Sequence, residues 1–69
     1  MEWIPVVSSN LNAIYYDAAD STIYINFKNG TAYAYPNTSI ELFNDLLSAP
    51  SKGQFHHLYI KHLPYRRIS

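Results

Sequence analysis

Asn29-Gly30, set between two runs of alternating residues, constrains this chain more than any other feature. An Asn-Gly pair tolerates the positive φ of a tight reversal and marks a β-hairpin. Before it, Thr22-Ile23-Tyr24-Ile25-Asn26-Phe27 is rich in β-branched and aromatic residues and reads as a strand. After it, Thr31-Ala32-Tyr33-Ala34-Tyr35 is the returning strand. A third strand is expected from Ser9 through Tyr16, joined to the hairpin by the polar, small-residue link Asp17-Ala18-Ala19-Asp20-Ser21. Three sequential strands with short links make an antiparallel meander.

The hairpin has two registers open to it, and they place the tyrosines on opposite faces. In a two-residue type I′ loop, Phe27 pairs with Ala32 and Asn26 with Tyr33. Ile23, Ile25 and Phe27 then share a face with Ala32 and Ala34. Tyr24, Tyr33 and Tyr35 form an aromatic platform on the other face, of the kind that stacks unpaired bases. In a three-residue loop with Gly30 left-handed in a G1 bulge, the parity flips. Tyr33 then lies beside Ile25 and Tyr35 beside Ile23, while Ala32, Ala34, Tyr24 and Asn26 face outward. The bulged form is favoured, because it gathers the large apolar groups under whatever covers the sheet.

Two helices are expected to follow the strands. Thr38-Ser39-Ile40-Glu41 has a capping-box pattern, with Thr38 as N-cap and Glu41 at the third helical position. Ile40, Phe43, Leu46 and Leu47 fall at helical spacing, with Leu42 widening the stripe, and the helix stops before Pro50. Ser51 caps a second helix, with Gln54 three residues on and Phe55, Leu58, Tyr59 and His62 on one helical side. Pro64 closes it. The fold class is therefore α+β: a three-stranded antiparallel meander followed by two short helices packed on one face of the sheet. Residues 1–69 form one domain, with a core over about 8–65, an apolar N-terminal arm at 1–7 and a basic tail at 66–69.

Composition narrows the chemistry. With 69 residues and no cysteine, the chain has no disulfide framework, thiolate metal site or cysteine nucleophile, and must fold on its apolar core or by association. Met1-Glu2 begins acidic where a secretory signal begins basic, and Trp3-Ile4-Pro5-Val6-Val7 is too short for a signal core. No stretch approaches the ~20 apolar residues that cross a bilayer. A cytoplasmic location without membrane contact is the expectation. Formal net charge is zero, but it is unevenly distributed. Residues 1–50 hold Glu2, Asp17, Asp20, Glu41 and Asp45 against Lys28 alone, a balance of −4. Residues 51–69 hold Lys52, Lys61, Arg66 and Arg67 with no acid, a balance of +4. His56, His57 and His62 in the same segment would add charge below pH ~6.5.

The order of residues also resembles a known family. Ser8-Ser9-Asn10-Leu11, then Ile14-x-Tyr16-Asp17, then Ile23-x-Ile25-x-Phe27-x-x-Gly30-x-x-Tyr33-x-Tyr35 is similar to the KTSC domain. So is Leu47-x-Ala49-x-Ser51-x-Gly53 with Phe55, Ile60 and Tyr65. The hallmark of that family is a Tyr-x-Tyr pair, matched here by Tyr33 and Tyr35. Tyr16, Asp17, Gly30, Ser51 and Gly53 match its other motif positions. Two positions depart: Tyr15 stands where a small residue is expected, and Pro36 follows Tyr35 directly. The family occurs as a stand-alone protein and at the C-terminus of some lysyl-tRNA synthetases. That context implies RNA binding by analogy only, and it offers no catalytic residue to carry over.

Weighed by residue chemistry, catalysis and metal binding have little to stand on. No nucleophile elbow, phosphate loop or paired-carboxylate motif is present. His56 and His57 are adjacent and His62 is five beyond His57, spacings that do not pair two ligands on a helix face. No cofactor, metal or catalytic residue is therefore expected. The leading expectation is a small non-enzymatic binding domain for RNA (tRNA or a single strand) or another polyanion. Lys52, Lys61, Arg66 and Arg67 would contact phosphate, with Tyr65 or Tyr24 available for stacking. Ser51-Lys52-Gly53 at a helix start would either hold a phosphate or serve as a cap followed by a close-packing glycine. The competing expectation is a protein-interaction or self-associating module, compatible with a homodimer, that uses the apolar arm Trp3 to Val7. That arm would equally serve as an edge strand.

Overall fold

The hairpin adopts the bulged register. In the computed structural model, which describes residues 2–69, Ile25 pairs with Tyr33 and Ile23 with Tyr35. Gly30 has φ +94°, and its N–H donates to the Phe27 carbonyl at 3.0 Å. Asn29 contributes through its side chain rather than a left-handed backbone. Its Oδ1 accepts from the Thr31 N–H at 3.0 Å and the Thr31 hydroxyl at 2.7 Å.

The sheet has five strands rather than three. They are β1 (Ile4–Pro5), β2 (Leu11–Asp17), β3 (Thr22–Phe27), β4 (Ala32–Tyr35) and β5 (Arg66–Arg67), in that spatial order and antiparallel throughout. The three expected strands are its centre. The arm and the tail supply its two edges, because the outer backbones of β2 and β4 otherwise present unpaired N–H and C=O groups. Pro5 is tolerated in β1 because an edge strand need not donate on its outer side. Met1, the first residue of the expected arm, lies outside the described residues.

A bulge in β2 between Leu11 and Ala13 lets Leu11 face the helices while Ala13 faces away. One face of the sheet then carries the core: Leu11, Ile14, Ile23, Ile25 and Tyr35 packed under Phe43, Leu46 and Ile60. Helix α1 (Ile40–Ser48) turns Phe43 and Leu46 inward, and Ile40 and Leu47 stay at its exposed margins.

The entry to α1 differs from the sequence expectation. Ser39, not Thr38, is the N-cap, its Oγ accepting from the Leu42 N–H at 3.1 Å. Glu41 therefore stands one position earlier in the helix, in the first turn where the helix dipole favours an acid. Thr38 is buried instead. Its hydroxyl accepts from the Ile23 N–H at 3.1 Å and donates to the Tyr35 carbonyl at 2.9 Å. It thus bridges β3 and β4 where their ladder ends. Asn37, with φ +58°, makes the sharp turn after Pro36 that brings Thr38 there.

After Ala49-Pro50, α2 (Lys52–Phe55) runs directly into a π-helical turn, His56–Ile60, closed by the Lys61 N–H donating to the His56 carbonyl at 2.8 Å. The wider i→i+5 turn rotates the inner face of the expected second helix. Phe55, His56 and Ile60 point inward, whereas Leu58 and Tyr59, which helical spacing groups with Phe55, are more than half exposed at 51% and 57%. No helix among the described residues is long and apolar enough to cross a membrane.

Candidate nucleic-acid interface

Most of the motif residues singled out in the sequence hold the scaffold. Tyr16 donates its hydroxyl to the Thr38 carbonyl at 2.7 Å. Asp17 accepts from the Ala19 N–H at 3.0 Å within the β2–β3 turn. Ser51 caps α2, its Oγ accepting from the Gln54 N–H at 3.3 Å. A Cβ on Gly53 would overlap the Asn10 side chain, so this glycine lets α2 lie directly on the Ser8–Asn10 loop. Capping and close packing thus account for Ser51 and Gly53 without a bound phosphate.

Tyr33 and Tyr35 behave differently. Their β4 positions turn them toward the end of the π turn, where they meet His56, Lys61 and Tyr65 around a cleft of about 220 Å³. Tyr35 is its floor, 3% exposed. Its hydroxyl lies 2.9 Å from His56 Nε2. Tyr33 is half-buried and meets Tyr65 edge-on, ring centroids 5.3 Å apart. The Tyr65 ring also lies 6.0 Å from that of Tyr35, yet Tyr65 remains 59% exposed. Phe27 closes the inner side, 5.7 Å from Tyr33 and 5.2 Å from His56.

Burial sets the protonation of the floor. Desolvation, with Tyr33 and Tyr65 adding to it, pushes the Tyr35 phenol up to about 12. Desolvation also lowers His56 from its usual value, assisted by the nearby Lys61, His57 and His62 charges. Both groups are therefore neutral near pH 7, and the imidazole tautomer sets which of them donates in the bond between the phenol and Nε2. His56 thus resists the added positive charge that the sequence allowed it. The sign of the pH effect follows. Below 6.5 the unfolded imidazole takes a proton that the folded one resists, so stability is full above 6.5 and falls as pH drops. At the alkaline end the Tyr35 contribution is present below 10 and is lost as pH rises toward 12. Urea midpoints measured across both ranges should decline at each end, and a profile flat from neutrality to pH 5 would contradict a buried neutral His56.

The expected phosphate contacts separate into two groups. Lys61, Arg66 and Arg67 are exposed; Lys61 lines the cleft, and the two arginines form β5 beside it, Arg67 opposite Tyr33 and Arg66 opposite Ala34. Lys52 does not join them. Its ammonium donates to the Ala49 carbonyl at 3.0 Å, at the C-terminal end of α1 where the helix dipole favours a cation. Tyr24 is also withdrawn from the expected stacking role. It stands mid-strand in β3 on the opposite face, only 7% exposed, its ring 5.9 Å from that of Tyr15. His56 is the site residue that sequence reasoning did not single out. The sequence carried no cue to a π turn, and on an ordinary helix His56 falls off the Phe55, Leu58, Tyr59 stripe.

A five-stranded antiparallel sheet with its helices on one face, and a Tyr-x-Tyr pair lining a cleft beside a cationic edge, defines a small α+β domain. The chain belongs to the KTSC domain family, whose model matches residues 7–65. The crystal structure of a KTSC domain protein from Yersinia pestis superposes with a TM-score of 0.91 at 31% identity, covering 99% of this chain and 97% of the other. A Tsukamurella paurometabola protein is 41% identical over 51 residues, 74% of this chain and 76% of its own length. A lysine–tRNA ligase from Nostoc is 32% identical over 62 residues; the match takes in 88% of this chain but 11% of the ligase.

Proposed function

We propose that this domain is a non-enzymatic, cytoplasmic RNA-binding module whose contact surface is β5 together with the cleft rim. The observation that carries the reading is that Lys61 and Arg67 lie on the cleft side of the edge where an exposed aromatic ring, Tyr65, also stands, with Arg66 on the same strand but turned to the other sheet face. Cations beside an accessible ring are what a single-stranded backbone with splayed bases requires. The match to part of a lysine–tRNA ligase supports RNA as the polyanion, since that enzyme's name specifies a tRNA substrate.

With Lys52 engaged on α1, Lys61, Arg66 and Arg67 remain for phosphate, Arg67 through its terminal amino groups because its Nε–H donates to the Ser69 carbonyl at 2.9 Å. Full engagement of three cations predicts a log–log salt slope of about −2 on single-stranded RNA. Fluorescence anisotropy at 20 to 200 mM salt, on the order of the range where such slopes are read, measures it. Replacing both β5 arginines with Gln should flatten the slope by about 1.4. Equal binding by the parent and this double variant would overturn the assignment.

A second reading, self-association through the arm, is favoured by one specific observation. Val7 is 98% exposed, with Trp3 and Ile4 over a third exposed beside it. Sedimentation at moderate salt distinguishes the two: a dimer abolished by Val7→Asp supports association, and a monomer at all concentrations removes it.

A further inference from the structure

The cleft has more specific chemistry than a cationic edge needs. Its volume of about 220 Å³ is below the ~300 Å³ at which drug-sized ligand pockets begin. Its floor is already satisfied, because the Tyr35 hydroxyl and His56 Nε2 are bonded to each other. What remains for a ligand is aromatic surface from Tyr65 and the half-buried Tyr33, and one ammonium, Lys61, on the rim. A planar ring carrying an anionic group fits that set. The larger groove on the opposite sheet face, lined by Trp3, Asn12, Asn26 and Ile68, offers no cation, and two of its amides bond each other at 2.8 Å.

We propose that the cleft holds one unpaired nucleotide, its base against Tyr65 and Tyr33 and its phosphate on Lys61. The inference rests on the RNA-binding reading and makes it specific: Arg66 and Arg67 hold the neighbouring backbone, and the cleft takes a base. Two consequences follow. A base locked in a duplex cannot enter, so single strands bind better than duplexes of the same charge. Recognition through ring faces is tolerant of base identity, so the preference among the four bases is small.

The test compares a fluorescein-labelled single-stranded RNA octamer with a fully abasic strand of the same length and charge, by anisotropy at low salt. The parent strand is expected to bind about ten-fold more tightly, in line with one base–aromatic stack. Tyr65→Ala should erase that difference, and Tyr65→Phe should restore it. Because Tyr65→Ala also removes packing from Tyr33 and Tyr35, the wild-type protein is titrated with 5′-AMP as well. The Tyr33 and Tyr65 ring resonances and the Lys61 amide should shift together. If the abasic strand binds as tightly as the parent and 5′-AMP moves none of these, the nucleotide pocket is overturned and the phosphate contacts stand. If neither strand binds, both readings fall.

Discussion

Replacing Ile60 by Ala should bring the domain close to unfolding. Ile60 is completely buried, and it is the residue of the π turn that enters the core under β2 and β3. Truncating a buried isoleucine costs about 2–5 kcal/mol, depending on how far the surroundings collapse. A chain of this length has about 3–10 kcal/mol in total. Its core neighbours are held on the strands and on α1, which limits their collapse into the gap, so the upper half of the range is expected. Ile60→Val, which removes one methyl group, should cost only about 1 kcal/mol. Urea denaturation followed by tyrosine fluorescence measures both. Similar midpoints for the two variants would mean that the π turn does not depend on this anchor.

The second large effect is expected at Thr38. Thr38→Val keeps the side-chain shape but removes the hydroxyl between the Ile23 N–H and the Tyr35 carbonyl. The Ile23 N–H is then buried with no acceptor, which costs about 1–3 kcal/mol in addition to the lost hydrogen bonds. Thr38→Ser keeps the hydroxyl and should recover most of the loss. The sequence-based alternative, a Thr38 N-cap, predicts a different pattern: a loss near 1 kcal/mol located in α1 alone. Amide exchange separates the two accounts. The bridge predicts faster exchange at the β3–β4 end, around Ile23, with α1 protected.

Local chemistry made the centre of this fold legible. The β3 span was read correctly because its six residues alternate, and the bulged register because only it puts Tyr33 and Tyr35 with Ile23 and Ile25. Ser51 was read because its partner lies three residues away. What could not be read depends on distant pairing. β5 is two residues long, too short to show a period, and exists because β4 has an open edge, whereas β1 fulfils the edge-strand reading of the arm without its bounds being legible. Thr38 and Ser39 are equally good caps in isolation. Choosing between them requires knowing that the Ile23 N–H lies overhead. The site divides in the same way. Charge segregation points to Lys52, Lys61, Arg66 and Arg67 alike, and only the three-dimensional arrangement shows Lys52 engaged on α1, Tyr24 enclosed and His56 bonded to Tyr35.

Nucleic acid is expected to meet this domain along β5 and the mouth of the tyrosine cleft. Amide and aromatic shift mapping during titration with a short single-stranded RNA at low salt tests it most directly. Shifts are expected to concentrate at Lys61, Tyr65, Arg66, Arg67 and Tyr33, with Lys52 and Tyr24 still. Shifts confined to the opposite face around Trp3, Asn12 and Asn26, or no shift at any residue, would contradict it.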